Sequence, residues 1–112
     1  MDNLAYSDRT IQSGTYQEID SLCDCLSRIA TIFTEADDFS PAIELIRESQ
    51  YSIESIVPKL AIDDAIELIE LGRILASWKF RWIEISSNPA KILAVRNLAR
   101  SWYEQLAKMQ HN

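Results

Sequence analysis

The chain has 112 residues, of which 47% are hydrophobic and 25% are charged, and its formal net charge is −6. A chain of this length suggests one domain whose core needs no disulfide or metal, and its two glycines and three prolines argue against a turn-rich all-β fold. No apolar run approaches the ~20 residues needed to cross a bilayer, and the acidic start Met1-Asp2-Asn3-Leu4 is unlike a signal peptide. We therefore expect a cytoplasmic protein that does not enter membranes.

Helical patterns follow a short N-terminal segment. Residues 1–13 have few apolar positions, and we expect a flexible tail there, followed by a single helical domain over residues 14–112. Apolar residues at helical spacing predict a first helix over about 15–36. Ser40 followed by Pro41, a capping hydroxyl and then a proline, predicts the start of a second helix over about 41–57, which Pro58 ends.

The third predicted helix, about 63–85, is the most apolar. It starts near Asp63 or Asp64, and Asp64 with Glu67 resembles a capping box. More than half of its circumference is hydrophobic, so this helix is either central in the fold or shared between two chains.

A fourth helix, about 89–109, follows the start signal Asn88-Pro89. Four amphipathic helices with short connections predict an all-α, antiparallel four-helix bundle. The wide apolar face of the third helix further predicts a homodimer.

Charge is distributed unevenly along the chain. Residues 1–71 contain 15 acidic and 4 basic residues, whereas residues 72–112 contain 2 acidic and 7 basic residues. Either the acidic early helices pack beside the basic late ones, or each half faces a differently charged partner.

Residues suited to catalysis or metal binding are scarce. The only histidine, His111, is second from the end of the chain and leaves no His–Cys or Ser–His pair of fixed geometry. Cys23 and Cys25 are two residues apart in a helical pattern, so we expect reduced, partly buried thiols that cannot bond to each other. With His111 they do not reach the four ligands of a structural zinc site. We therefore predict a protein that is not an enzyme and holds no metal or cofactor.

Two residues interrupt the apolar face of the third helix. Glycine inside a helix costs about 1 kcal/mol relative to alanine. We interpret Gly72, with Ala76 beside it, as a point of close helix packing rather than as a flexible point or ligand notch. Lys79 either pairs with an acid, reaches the surface along its apolar stem, or awaits an acidic ligand.

Tryptophan and arginine are enriched at protein interfaces, and here they are concentrated in residues 73–102. We expect a small interaction protein: an adaptor, a chaperone-like factor, an inhibitor or an immunity-type protein. Its partner, another protein, is predicted to dock on the surface of the third and fourth helices through Trp78, Arg81, Trp82, Arg96 and Arg100.

Two other functions compete with this prediction. The first is a nucleic-acid-associated regulator that uses the basic face of the fourth helix, although a net charge of −6 disfavours nucleic acid as a partner. The second is an enzyme that clamps an anionic substrate with Lys79 and the arginines. It ranks last, because Lys79 is the only cation that clearly interrupts the apolar pattern.

Overall fold

The computed structural model describes residues 13–110, and every regular element in this range is helical. The long helices are α1 (Ser13–Glu35), α2 (Ser40–Ile56), α3 (Ile62–Phe80) and α5 (Pro89–Gln110). A 3₁₀ turn, Val57–Lys59, separates α2 from α3, and a short helix α4, Trp82–Ser86, lies between α3 and α5. The predicted all-α class is confirmed. The predicted tail lies outside the described residues, except that Ser13 begins α1.

The third predicted helix is two helices rather than one. Arg81, at φ −102° and ψ 25°, leaves helical geometry and separates α3 from α4. The apolar periodicity continues across Arg81 without a glycine or proline, which is why the sequence predicts an unbroken helix. Helix α3 also starts earlier than predicted, with Ala61 at its N-cap and no side-chain cap. Asp64 and Glu67 therefore lie inside the helix and do not form the expected capping box.

The start of α2 is held by a residue that precedes the expected cap. Ser40 is the first helical residue rather than the cap. The carboxylate of Asp38 accepts hydrogen bonds from the Ser40 amide (3.0 Å) and hydroxyl (2.8 Å). These two bonds favour the charged carboxylate and lower the pKa of Asp38.

Helix α1 is the central element of the described chain. It packs against both α2 and α5, and it contributes the fully buried Ile19, Leu22, Leu26 and Ile29. Helix α3 packs mainly against α2 and has little contact with α5. Although α3 is hydrophobic over more than half of its circumference, it is therefore not the central helix of the fold.

Polar contacts near the helix ends fix the directions of neighbouring helices. Glu18, early in α1, accepts a hydrogen bond from Lys59 (2.7 Å) and one from Ser55 at the end of α2. These bonds lower the pKa of Glu18. Glu67, early in α3, accepts a hydrogen bond from Gln105 near the end of α5. Both contacts join the start of one helix to the end of another, so α1 and α2 are antiparallel, as are α3 and α5.

Aromatic packing closes the opposite end of the structure. The Phe33 ring, near the end of α1, lies 5.2 Å from Phe39 and 5.7 Å from Trp82 between ring centroids. Among residues 13–110, no helix combines the length and hydropathy that crossing a membrane requires.

Candidate interaction surface

Helix α3 exposes a row of large apolar side chains. Ile62, Ile66, Ile69 and Phe80 are 76%, 59%, 44% and 88% exposed, and Ile83 of α4 is 83% exposed. With the exposed Ala76 they form a row called here the α3 stripe. The buried residues Leu68, Leu71 and Leu75 lie on the opposite side, since successive helical residues rotate by ~100°. Contiguous exposed apolar surface is typical of interaction sites.

A charged residue interrupts the middle of the α3 stripe, and a second charged residue lies beside it. Arg73 occupies a position within the row, and its guanidinium lies 3.7 Å from the carboxylate of Glu70. Both side chains are largely exposed, so the pair is accessible to a molecule that covers the stripe.

The two ends of α3 carry opposite charge. Asp63 and Asp64 lie in its first turn, and Lys79 lies in its last. Burial raises the pKa of Asp64, and the nearby carboxylates of Glu67 and Asp63 raise it further. Neither Asp63 nor Asp64 forms an ion pair with another described residue.

Most cations of residues 72–112 have no ion-pair partner in the described part of the chain: Lys79, Arg81, Arg96, Arg100 and Lys108. By contrast, the cations described in the first half are paired, Arg28 with Asp24 (3.6 Å), Arg47 with Glu44 (2.9 Å) and Lys59 with Glu18 (2.7 Å). Five of the seven cations after residue 71 are thus left without an acidic partner among the described residues.

The predicted docking residues do not all lie on this surface. Arg81 and Arg100 are exposed. Trp78 is only 6% exposed, because its spacing from Leu71 and Leu75 places it on the buried face of α3. Trp82 is half-buried and packs on Phe33. Arg96 is also half-buried, and its buried Nε atom has no hydrogen-bond partner among the described residues.

Phe80 and Ile83 are the surface residues that the sequence did not single out. Both fall in the broad apolar arc of the third predicted helix, whose two faces are hydrophobic. The signal that separates them is their register with Ile62, Ile66 and Ile69, at alternating steps of four and three residues. Lys79, for which the sequence left three interpretations open, is exposed.

The surroundings of Gly72 are open rather than tight. A Cβ atom built there meets only Ile53 Cγ2, at 3.8 Å, an ordinary van der Waals distance. Close packing against a neighbouring helix is therefore not what requires this glycine. Gly72 and the exposed Ala76 instead border a groove of about 460 Å³ between α2 and α3, which Val57 and Ile69 also line.

The two cysteines lie in the core, away from the α3 stripe. Cys23 and Cys25 are buried and free. Burial, with a smaller contribution from Asp20, raises the pKa of Cys23 to about 11. Burial also raises the pKa of Cys25, although a hydrogen bond with Ser49 opposes the shift. Both therefore remain protonated at neutral pH, a state in which thiols are poor nucleophiles.

Comparisons with known proteins add no relative. No protein-family model matches the chain, and neither the curated proteins nor the solved structures give a match. Within residues 13–110, no group of three or more His, Cys, Asp or Glu side chains is placed to hold a metal ion.

Proposed function

We propose that this chain is a small, non-enzymatic interaction module, and that a partner protein docks where α3, α4 and α5 adjoin. The carrying observation is the exposure of Phe80 and Ile83 beside Lys79 and Arg81, which have no ion pair in the described range. Apolar anchors beside charged side chains are typical of protein interfaces. These residues and Trp82, called here the α3–α4 surface, line a shallow hollow of about 740 Å³.

Helix α5 adjoins this surface at its start, where Lys91 forms an ion pair with Glu84 of α4. The proposed docking site also includes Arg96 and Arg100, which lie further along α5. A suitable partner therefore offers an apolar projection for the hollow and acidic side chains for the cations around it.

We also propose a four-helix bundle architecture and a homodimeric state. The first is supported by the packing of α1 against α2 and α5 and of α2 against α3. The second is supported by the α3 stripe, which residues 13–110 leave uncovered.

Reversing charge on the proposed surface is the direct test of partner binding. We expect Arg81→Glu combined with Arg100→Glu to reduce capture of the partner about fivefold or more, because the introduced carboxylates repel an acidic surface. Capture is measured by mass spectrometry after affinity purification of the tagged chain from a nuclease-treated native lysate. Circular dichroism checks that helicity is unchanged.

A control matched in charge reverses two ion-paired cations elsewhere, the exposed Arg28 and the half-buried Arg47, as Arg28→Glu with Arg47→Glu. It changes the net charge equally on α1 and α2, and it is expected to leave capture unchanged. Equal capture by the Arg81/Arg100 variant and the wild type would refute this surface.

The second candidate is a nucleic-acid-associated regulator that uses α5. It is favoured by the exposed Arg100 and Lys108, which have no ion pairs in the described range. Phosphate contacts would make the affinity fall steeply with salt. Fluorescence polarisation with labelled DNA and RNA tests this function, and no binding at about 50 mM salt would exclude it.

A further inference from the structure

The α3 stripe has the spacing of a helix–helix seam. From Ile62 the row runs along α3 through Ile66, Ile69, Arg73, Ala76 and Phe80, in alternating steps of four and three residues, and Ile83 follows beyond the break at Arg81. This is the repeat by which two helices bury a shared apolar seam. The row faces away from the buried residues of α3, so a second helix can lie along it.

Charge on one flank of the stripe distinguishes its two ends. Asp63 and Arg81 both lie on this flank, about 100° from the axis of the row, and both are exposed. Neither forms an ion pair with another residue of the described range. One end of the flank is thus acidic and the other is basic.

The orientation of two such helices follows from this charge pattern. In a parallel pair opposite flanks meet, so Arg81 would lie beside Lys79 of the other chain, which is repulsive, and Asp63 would face no cation of the other α3. In an antiparallel pair the same flanks meet, and Asp63 of each chain faces Arg81 of the other. Twofold symmetry then forms this ion pair twice.

The apolar layers agree with the same register. Within α3, Ile66 lies opposite Phe80 of the second copy, and Ile69 lies opposite Ala76. Arg73 falls near the twofold axis, where the nearby Glu70 carboxylate (3.7 Å) offsets its charge. A charged position in an otherwise apolar seam fixes register at some cost in stability.

We propose that a second copy of this chain covers the α3 stripe, with the two α3 helices antiparallel and Asp63 of each paired with Arg81 of the other. The inference rests on the proposed function, because it names a second copy as a partner of the surface that contains Phe80 and Arg81.

Sedimentation equilibrium of the purified full chain and its charge variants tests this arrangement. The wild type is expected to dimerise, and Asp63→Arg or Arg81→Asp alone is expected to raise the dimer Kd about tenfold. The double variant Asp63→Arg with Arg81→Asp restores both ion pairs only in an antiparallel dimer, so its Kd should return toward the wild-type value. The control Arg28→Asp, on α1, should leave the Kd unchanged.

Phe80→Asp provides a variant that keeps its fold, because Phe80 is the most exposed large apolar residue of the described chain. It should be monomeric with unchanged helicity. A monomeric wild type at several hundred micromolar would overturn the inference, and so would a dimer that is indifferent to Asp63 and Arg81.

The proposed function fails separately from the dimer. A monomeric wild type that captures a protein through Phe80 and Arg81 overturns the dimer and leaves the function standing. A charge-sensitive dimer that captures nothing else supports the dimer and overturns the docking of another protein.

Discussion

At Gly72, helix α3 lacks a side chain although its surroundings leave room for one. A methyl group there would meet only the Ile53 side chain at an ordinary distance. The glycine therefore gives up helical propensity without a steric reason among residues 13–110. Replacing glycine by alanine at such a position reduces the conformational entropy that the chain loses on folding.

We predict that Gly72→Ala raises the free energy of unfolding by about 0.5–1 kcal/mol. Urea unfolding followed by circular dichroism, at a fixed protein concentration, measures the change. The exposed Ala76 supplies the matched control, because Ala76→Gly in the same helix should lower stability by a similar amount. Destabilisation by Gly72→Ala would show that the backbone needs glycine here.

Single residues also show where sequence reasoning reaches its limit. Of the three arginines predicted to contact the partner, Arg81 and Arg100 are exposed, whereas Arg96 is half-buried. Trp78 is buried, and composition cannot distinguish an interface tryptophan from a core tryptophan. Only the register of Trp78 with Leu71 and Leu75 does so, once the inward face of α3 is known.

At the scale of elements, hydrophobic periodicity located each long helix to within two residues at most ends. It missed the interruption at Arg81, since no glycine or proline marks it. It also could not orient α3, because a helix that is apolar on two faces has no single buried direction. Only the packing of α3 on α2 decides which face is core.

The two faces of α3 should therefore respond differently to truncation. Leu71 is fully buried whereas Ile66 is 59% exposed. We expect Leu71→Ala to lower the free energy of unfolding by about 2–5 kcal/mol. Ile66→Ala should cost less than about 0.5 kcal/mol when both are made in the monomeric Phe80→Asp background. Chemical denaturation of the two variants provides the comparison, and equal losses would mean that Ile66 belongs to the core.

At the scale of the whole molecule, charge and apolar exposure occur together. The cations of the first half that the structure describes are held in ion pairs, whereas most of those after residue 71 are not. The uncompensated cations include Lys79 and Arg81 beside Phe80 and Ile83, and the acidic end of the same helix carries Ile62 and Ile66. A molecule that covers α3 can bury the apolar side chains and pair with the charges, and in the proposed antiparallel dimer a second copy does both.

The central claim is that another molecule covers the α3 stripe in solution, and hydroxyl-radical footprinting of Phe80 and Tyr51 tests it most directly. Both rings are exposed in the single chain, at 88% and 64%, and Tyr51 lies on α2, outside the stripe. Oxidation of Phe80 should fall as the protein concentration rises, while that of Tyr51 stays constant. If Phe80 stays oxidised at every concentration as strongly, relative to Tyr51, as its exposure in the single chain implies, no second copy covers the stripe.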